Sequence, residues 1–224
     1  MKNLLLFVLI IALPASIFAQ RDSKLNTKSD SISYSLGVSM AKGLEMSGLQ
    51  DIDPGIIASA IHDALVRKET KIAFEDAQEF LSSHLQELNT KMAAENLEKV
   101  NEFLRENEAR QEVTTTASGL QYEVLEMGDG EKPAGDDTII THYKGTLMDG
   151  TLFDSSYDRG YPATFKVNQV IEGWTEALQL MPVGSKWRLY IPPDLAYGEN
   201  PPQGSNIKPN SLLIFDIELI EIKE

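Results

Sequence analysis

The sequence predicts an α+β protein of two unlike parts. The first is an all-α N-terminal domain ending in a long connecting helix, and the second is an antiparallel sheet wrapped around one short helix. Three observations predict it. No proline occurs between residues 55 and 132, whereas eight of the ten prolines lie from Pro133 onward, so the first part is free to be helical and the second is rich in turns. The apolar period changes from 3.6 to 2 across the small-residue run 114–119. In the second part Trp174, Ala177, Leu178 and Met181 return to helical spacing, until Pro182 stops the helix.

Residues 1–19 belong to neither part. Lys2 supplies a positive start, residues 4–13 are an unbroken apolar run, and Ile17-Phe18-Ala19 precede Gln20 as a signal peptidase would require. The run is too short to span a bilayer comfortably, so a cleaved secretory signal is expected rather than an anchor. This implies export to the periplasm, with outer-membrane association or secretion as further destinations. The chain has no cysteine, which excludes both a lipid-modified cysteine and a disulfide. The formal charge is −14, and loss of Lys2 would make it about one unit more negative. Such a surface repels phosphate backbones, so nucleic acid is not an expected partner.

From residue 20 to 113 the pattern is helical. Asp30 is the expected N-cap of a first helix through Leu36, Met40 and Leu44, ending near Gly48. Asp53-Pro54 reads as N-cap and first position of a second helix, with Ile57, Ile61 and Leu65 on one face. A third helix begins near Phe74 and continues to about Gln111. Phe74, Ala77, Leu81, Leu85, Leu88 and Met92 keep three-four spacing over its first half. Its second half carries Glu95, Glu98, Glu102 and Glu106 and reads as a solvated strut between domains. The apolar half needs a partner. Pairing with a second copy, giving a homodimer, is the expected solution, and a small monomeric three-helix bundle is the alternative.

From residue 114 to 224 the pattern is that of strands, about five in number. Trp187, Leu189 and Ile191 alternate with Lys186, Arg188 and Tyr190, and Leu213, Phe215, Ile217 and Leu219 alternate with Leu212, Ile214, Asp216 and Glu218. In this part the runs THYKGTLMDGTLFDSS, VIEGW, DLAYG and LLIFD bring Tyr143, Phe153, Asp154, Val170, Ile171, Trp174, Tyr197 and Phe215 into one stretch. The set is aromatic and branched apolar, with a single carboxylate. His62 and His84 fall on helices of the other domain, and His142 lies inside a strand with no recognisable nucleophile turn. No nucleophile–base pair, zinc or calcium ligand spacing, or phosphate-cradling glycine loop accompanies the set.

A dry cradle of this kind suits rotation about an amide. The barrier is about 18–20 kcal/mol because rotation breaks the resonance of the C–N bond. The twisted state has less charge separation than the planar amide, so desolvation favours it. X-Pro is the natural substrate, since both isomers are populated and exchange takes about 10–100 s unaided. A five-order acceleration requires removing roughly 7 kcal/mol, with neither proton transfer nor a cofactor.

From about Gly119 onward the chain resembles the FKBP-type peptidyl-prolyl cis-trans isomerases, with YKGTLxDGTxFDSS, VIxGW, LAYG and LIFxIxL in order at family spacing. The whole chain resembles the macrophage infectivity potentiator/FkpA-like branch, and SDSISYSLGVSMAKGLE is similar to the opening of its dimerisation domain. The resemblance implies a half-barrel sheet, isomerase activity, clients that are unfolded or partly folded proteins with X-Pro bonds, and macrolide inhibitors as ligands. It implies Trp174 as the floor under the proline ring, with Tyr143, Phe153, Val170, Ile171 and Phe215 as walls. The backbone N–H of Ile171 and the hydroxyl of Tyr197 would hydrogen-bond the peptide. Asp154 would lie near the reacting amide, and Ile207 on the flap after Tyr197.

The chain departs from the broad family at two points. Ala163 follows Pro162 where many members have an aromatic, and Asn206 stands where an apolar flap residue is common. Both open one pocket edge and weigh against tight macrolide binding more than against catalysis. The expected function is therefore an exported prolyl isomerase with chaperone-like client binding through dimeric helices. A non-catalytic proline-peptide-binding or chaperone module is the alternative.

Overall fold

The structure, a computed structural model, describes residues 24–49 and 51–223; the expected signal segment 1–19 lies outside the described residues. Two compact units divide the chain, the second starting at Leu44. What is described of the first is most of helix α1 (Lys28–Met46). Its start differs from expectation. The backbone N–H of Thr27 donates to Asp30 Oδ2 at 2.8 Å, and Asp30 N–H donates to Thr27 Oγ1 at 3.1 Å. This reciprocal pair puts Thr27 at the cap and Asp30 three residues inside, a capping box that a lone acidic residue does not announce.

The second unit opens with α2 (Pro54–Leu65), where Asp53 accepts from the N–H groups of Gly55 and Ile56 and Pro54 takes the first helical position, as expected. Helix α3 (Phe74–Glu108) follows with 35 residues, a rod of about 53 Å. Its second half is not solvated all round. Ala93, Val100 and Asn107 are buried, a stripe that recurs every seven residues and faces the sheet domain. Glutamates occupy the remaining faces, which is why the segment looked polar throughout.

Seven antiparallel strands complete the unit: β1 (Val113–Thr115), β2 (Gln121–Glu126), β3 (Thr138–Thr146), β4 (Leu152–Ser155), β5 (Ala163–Lys166), β6 (Lys186–Ile191) and β7 (Leu213–Lys223). The order is β1-β2-β6-β7-β3-β4, and β5 pairs with the far end of β3. The short helices α4 (Ser156–Arg159) and α5 (Glu172–Leu180) complete it. The sheet exceeds the five strands expected because β1, β4 and β5 have only three or four residues each, too few to register as alternation.

One face of the sheet receives α5. Trp174, Ala177, Leu178 and Met181 pack against Ile139, Tyr143, Trp187, Leu189, Ile191, Leu213, Phe215, Ile217 and Leu219 to form the core. Gly173 permits the close approach: a Cβ there would lie 2.5 Å from Ile191 Cγ2. On the other face Arg188 and Asp216 form a two-pronged ion pair at 2.6 and 2.9 Å. Tyr190, which the alternation assigns to solvent, is buried there because Phe103 of α3 covers it at 5.9 Å between ring centroids.

Candidate active site

Trp174 lies in the first turn of α5 and is 3% exposed. Three rings meet it nearly edge-on: Phe215 at 5.1 Å, Tyr143 at 5.2 Å and Phe165 at 5.6 Å. Perpendicular aromatic pairs at this distance place positive ring edges against a negative ring face. Phe153 of β4 then stands at 89° to Phe215, 5.4 Å away. Gly145 makes room for both phenyl rings, since a Cβ there would lie 2.6 Å from Phe153 and 2.8 Å from Phe215. The sequence places these rings by alternation: Tyr143 and Gly145 are two apart on β3, and Gly145 registers with Phe215 on β7.

The indole N–H of Trp174 is buried without a hydrogen-bond partner. An orphaned donor of this kind normally costs about 1–3 kcal/mol. The backbone N–H of Ile171, the residue that caps α5, likewise meets no acceptor among the described residues. Val170 and Ile171 are partly buried and pack on the core beside it. The cage is therefore apolar with two unpaired donors.

One polar cluster lies at the rim. Tyr143 Oη donates to Asp154 Oδ2 at 2.5 Å, and Arg159 donates to Asp154 Oδ1 at 2.6 Å and to Tyr143 Oη at 2.7 Å. The guanidinium also lies 5.3 Å from the centre of the Tyr143 ring. Partial burial alone would raise the Asp154 pKa, but the hydrogen bonds from Tyr143 and Arg159 and the guanidinium charge outweigh it and hold the carboxyl below its ordinary value. Burial raises the Tyr143 hydroxyl, and Asp154 adds to this. Burial also raises Tyr197, with a further push from the Asp154 charge. At neutral pH the rim holds one carboxylate and two neutral phenols.

The structure thus brings Tyr143, Phe153, Asp154, Val170, Ile171, Trp174 and Phe215 together, with Ile207 buried on the same core, while Tyr197 is exposed and linked to them through the Asp154 charge. Two members escaped the sequence reading. Phe165 is the one aromatic on β5, where Ala163 and Phe165 face inward and Thr164 and Lys166 outward. A period-2 signal over four residues was available but short. Arg159 is the one cation between Lys144 and Lys166, yet its partners lie five and sixteen residues back and meet it only through strand pairing.

The expected absence of a nucleophile–base pair needs correcting in one respect. His142 Nδ1 lies 2.9 Å from Ser156 Oγ. Ser156 is fully buried, and its hydroxyl accepts from Tyr143 N–H at 2.8 Å and donates to Tyr143 O at 3.2 Å. A hydroxyl shielded in this way cannot attack a substrate. It latches the backbone that carries the Tyr143 ring.

Comparison with known proteins identifies the family. Residues 129–220 match the model of the FKBP-type peptidyl-prolyl cis-trans isomerase domain, and residues 29–124 match that of the domain amino-terminal to it. The outer membrane protein MIP of Legionella longbeachae is 39% identical over 231 residues, spanning all of this chain and 98% of the relative. The chain belongs to the FKBP-type peptidyl-prolyl cis-trans isomerases. The peptidyl-prolyl cis-trans isomerase Mip of Coxiella burnetii is 41% identical over the full length of both chains. Among solved structures, FkpA from Escherichia coli is similar at a TM-score of 0.64 and 35% identity, over 89% of this chain and 99% of that one. An FKBP-type isomerase needs a dry, shaped cradle more than acid–base groups, and the Trp174 cage has that form.

Proposed function

We propose that the Trp174 cage binds the prolyl ring of an exported client, and that this isomerase uses its helical domain to hold clients as a dimer. The observation that carries the site reading is the buried indole ringed by Tyr143, Phe165 and Phe215. Tyr143, Phe153, Val170, Ile171 and Phe215 wall the ring, and Ile207 closes the pocket from the flap. The Ile171 N–H and Tyr197 hydroxyl hold peptide carbonyls, while Asp154 faces the rotating amide. Removing water from the planar ground state and gripping the twisted conformer lower the barrier.

Asp154→Ala tests the rim. Hydrogen bonds to charged groups contribute about 1.5–3 kcal/mol, and the Asp154 side chain is 44% exposed, so the low end applies. The expected result is roughly a tenfold loss of kcat/KM on an X-Pro tetrapeptide with the melting temperature nearly unchanged. Undiminished turnover would remove Asp154 from the site. The pH profile follows from the same groups. The Asp154 pKa is depressed when folded, so its contribution to stability and activity is present above the ordinary carboxylate value of about 4 and is lost as pH falls through the depressed value. Both phenols are raised, so kcat/KM should be flat from about pH 5 to 9. An inflection near pH 6–7 would point to a titrating base instead.

The dimer reading rests on apolar surface left uncovered in the second unit. Ile56 and Leu65 of α2 and Phe74 and Phe80 of α3 are each at least 69% exposed, large apolar side chains that a second copy of the chain would cover. Two cages on one dimer engage a long client twice and raise its effective concentration. Phe80→Glu should convert the dimer to monomer by light scattering. Tetrapeptide turnover should stay within about twofold, while catalysed refolding of a proline-limited protein falls by about tenfold or more. Refolding that is as fast with the monomer would remove the avidity argument. The apolar run before Gln20 and the relative titled an outer membrane protein support export to the periplasm.

A further inference from the structure

The segment between Gly198 and Asn210 has no strand or helix of its own. Most of its hydrogen bonds are local, such as Ser205 Oγ to Pro202 O at 2.7 Å and Lys208 N–H to Ser211 Oγ at 3.2 Å. Among the described residues, three bonds tie it to anything distant in sequence. Asn210 N–H donates to Gly198 O at 2.8 Å and closes the base of the flap. The other two reach α3: Asn96 Nδ2 donates to Pro209 O at 2.7 Å, and Asn210 Nδ2 donates to Ala93 O at 3.2 Å.

These contacts form a built joint. Asn210 is 7% exposed and Ala93 6%, so the second bond is shielded from water and breaking it would strand a buried amide. Asn210 has φ of 52°, a left-handed conformation that asparagine tolerates better than most residues. Its main chain faces Gly198 while its side chain faces the helix. Pro209 lines clefts on both sides of α3, one with Leu81 and Leu85, the other with Leu88 and Met92. The flap is seated across the helix rather than beside it. Ile207, two residues before Pro209, packs on the same core as Trp174.

We infer that Asn96 and Asn210 clamp the flap to α3, so that this helix positions one wall of the substrate site. Asn96 is a positioning residue: it touches no substrate and acts through Pro209 on Ile207 and, across the Asn210–Gly198 bond, on Tyr197. This rests on the reading of Ile207 and Tyr197 as peptide-binding groups. The cage that carries rotation stands on other elements, so loosening the clamp affects binding rather than the chemical step. The stripe of Ala93, Val100 and Asn107, spaced seven residues apart, keeps α3 itself fixed against the domain, which makes it a firm anchor for a segment with no strand or helix of its own.

The test uses the full-length protein and an X-Pro tetrapeptide. Asn96→Ala removes one neutral hydrogen bond and is expected to raise KM about three- to tenfold, with kcat within about twofold. Asn96→Gln keeps the donor and should recover most of the loss. Ile207→Ala should raise KM by itself, and adding Asn96→Ala to it should cost little more, because both act through one wall. A raised KM in Ile207→Ala with an unchanged KM in Asn96→Ala overturns the clamp and leaves the site reading standing. No change in either variant overturns the site reading and the clamp with it. A fall in kcat at constant KM, or equal damage by alanine and glutamine at position 96, assigns Asn96 a purely structural role and likewise overturns the proposal.

Discussion

Trp174→Ala is expected to lower kcat/KM by roughly a hundredfold, because the prolyl ring loses the surface that aligns it. It also removes the partner of three aromatic rings, so stability should fall by about 3–5 kcal/mol. The two effects must be separated, and the fold provides the comparison. Trp187 is equally buried and equally leaves its indole N–H unpaired, but it stacks on Tyr122 at 4.3 Å rather than on the cage. Trp187→Ala should destabilise by a similar amount of about 3–5 kcal/mol. At a temperature well below both melting transitions, only the Trp174 variant should have lost its turnover. Equal activities would mean that the indole of Trp174 is core and not floor.

Gly145→Ala should have the second-largest effect from the smallest change. The added methyl would meet Phe153 and Phe215 at 2.6 and 2.8 Å, and Phe215 is 6% exposed with no free direction of retreat. Overpacking of this kind costs about 1–3 kcal/mol. The rings that must move are the proposed pocket walls, and a displacement of about 1 Å at such a site can cost roughly 10²-fold in rate. Tetrapeptide kinetics and thermal unfolding on the same sample check both numbers. A variant that melts lower yet turns over normally would place the pocket away from Phe153 and Phe215.

Much of this was legible in the sequence, for reasons that can be named. The proline gap and the change of period separate helices from strands, because each depends only on neighbours along the chain. Trp174, Tyr143 and Phe215 could be grouped because the motifs that carry them follow one another in the order and spacing of the family they resemble. Other features were illegible because they arise between elements. Arg159 joins Asp154 and Tyr143 only once β3 and β4 pair. Tyr190 is buried by Phe103, on a helix far earlier in the chain. Ser156 latches Tyr143 across a strand pair and contacts His142, although composition offered no sign of a serine–histidine contact. The outer half of α3 misled for the opposite reason: a stripe one residue wide is outvoted by its glutamates in any average along the helix.

The strand order carries a consequence for how this isomerase is made. β7 (Leu213–Lys223) lies between β6 and β3 in the sheet and supplies Leu213, Phe215, Ile217 and Leu219 to the core, yet it is made after the other six described strands. Until it arrives, the β1-β2-β6 and β3-β4-β5 pairings have no common edge, and the cage lacks Phe215. Synthesis therefore leaves the sheet in two incompletely paired parts until β7 has been made, because distant pairings cannot form before both partners exist.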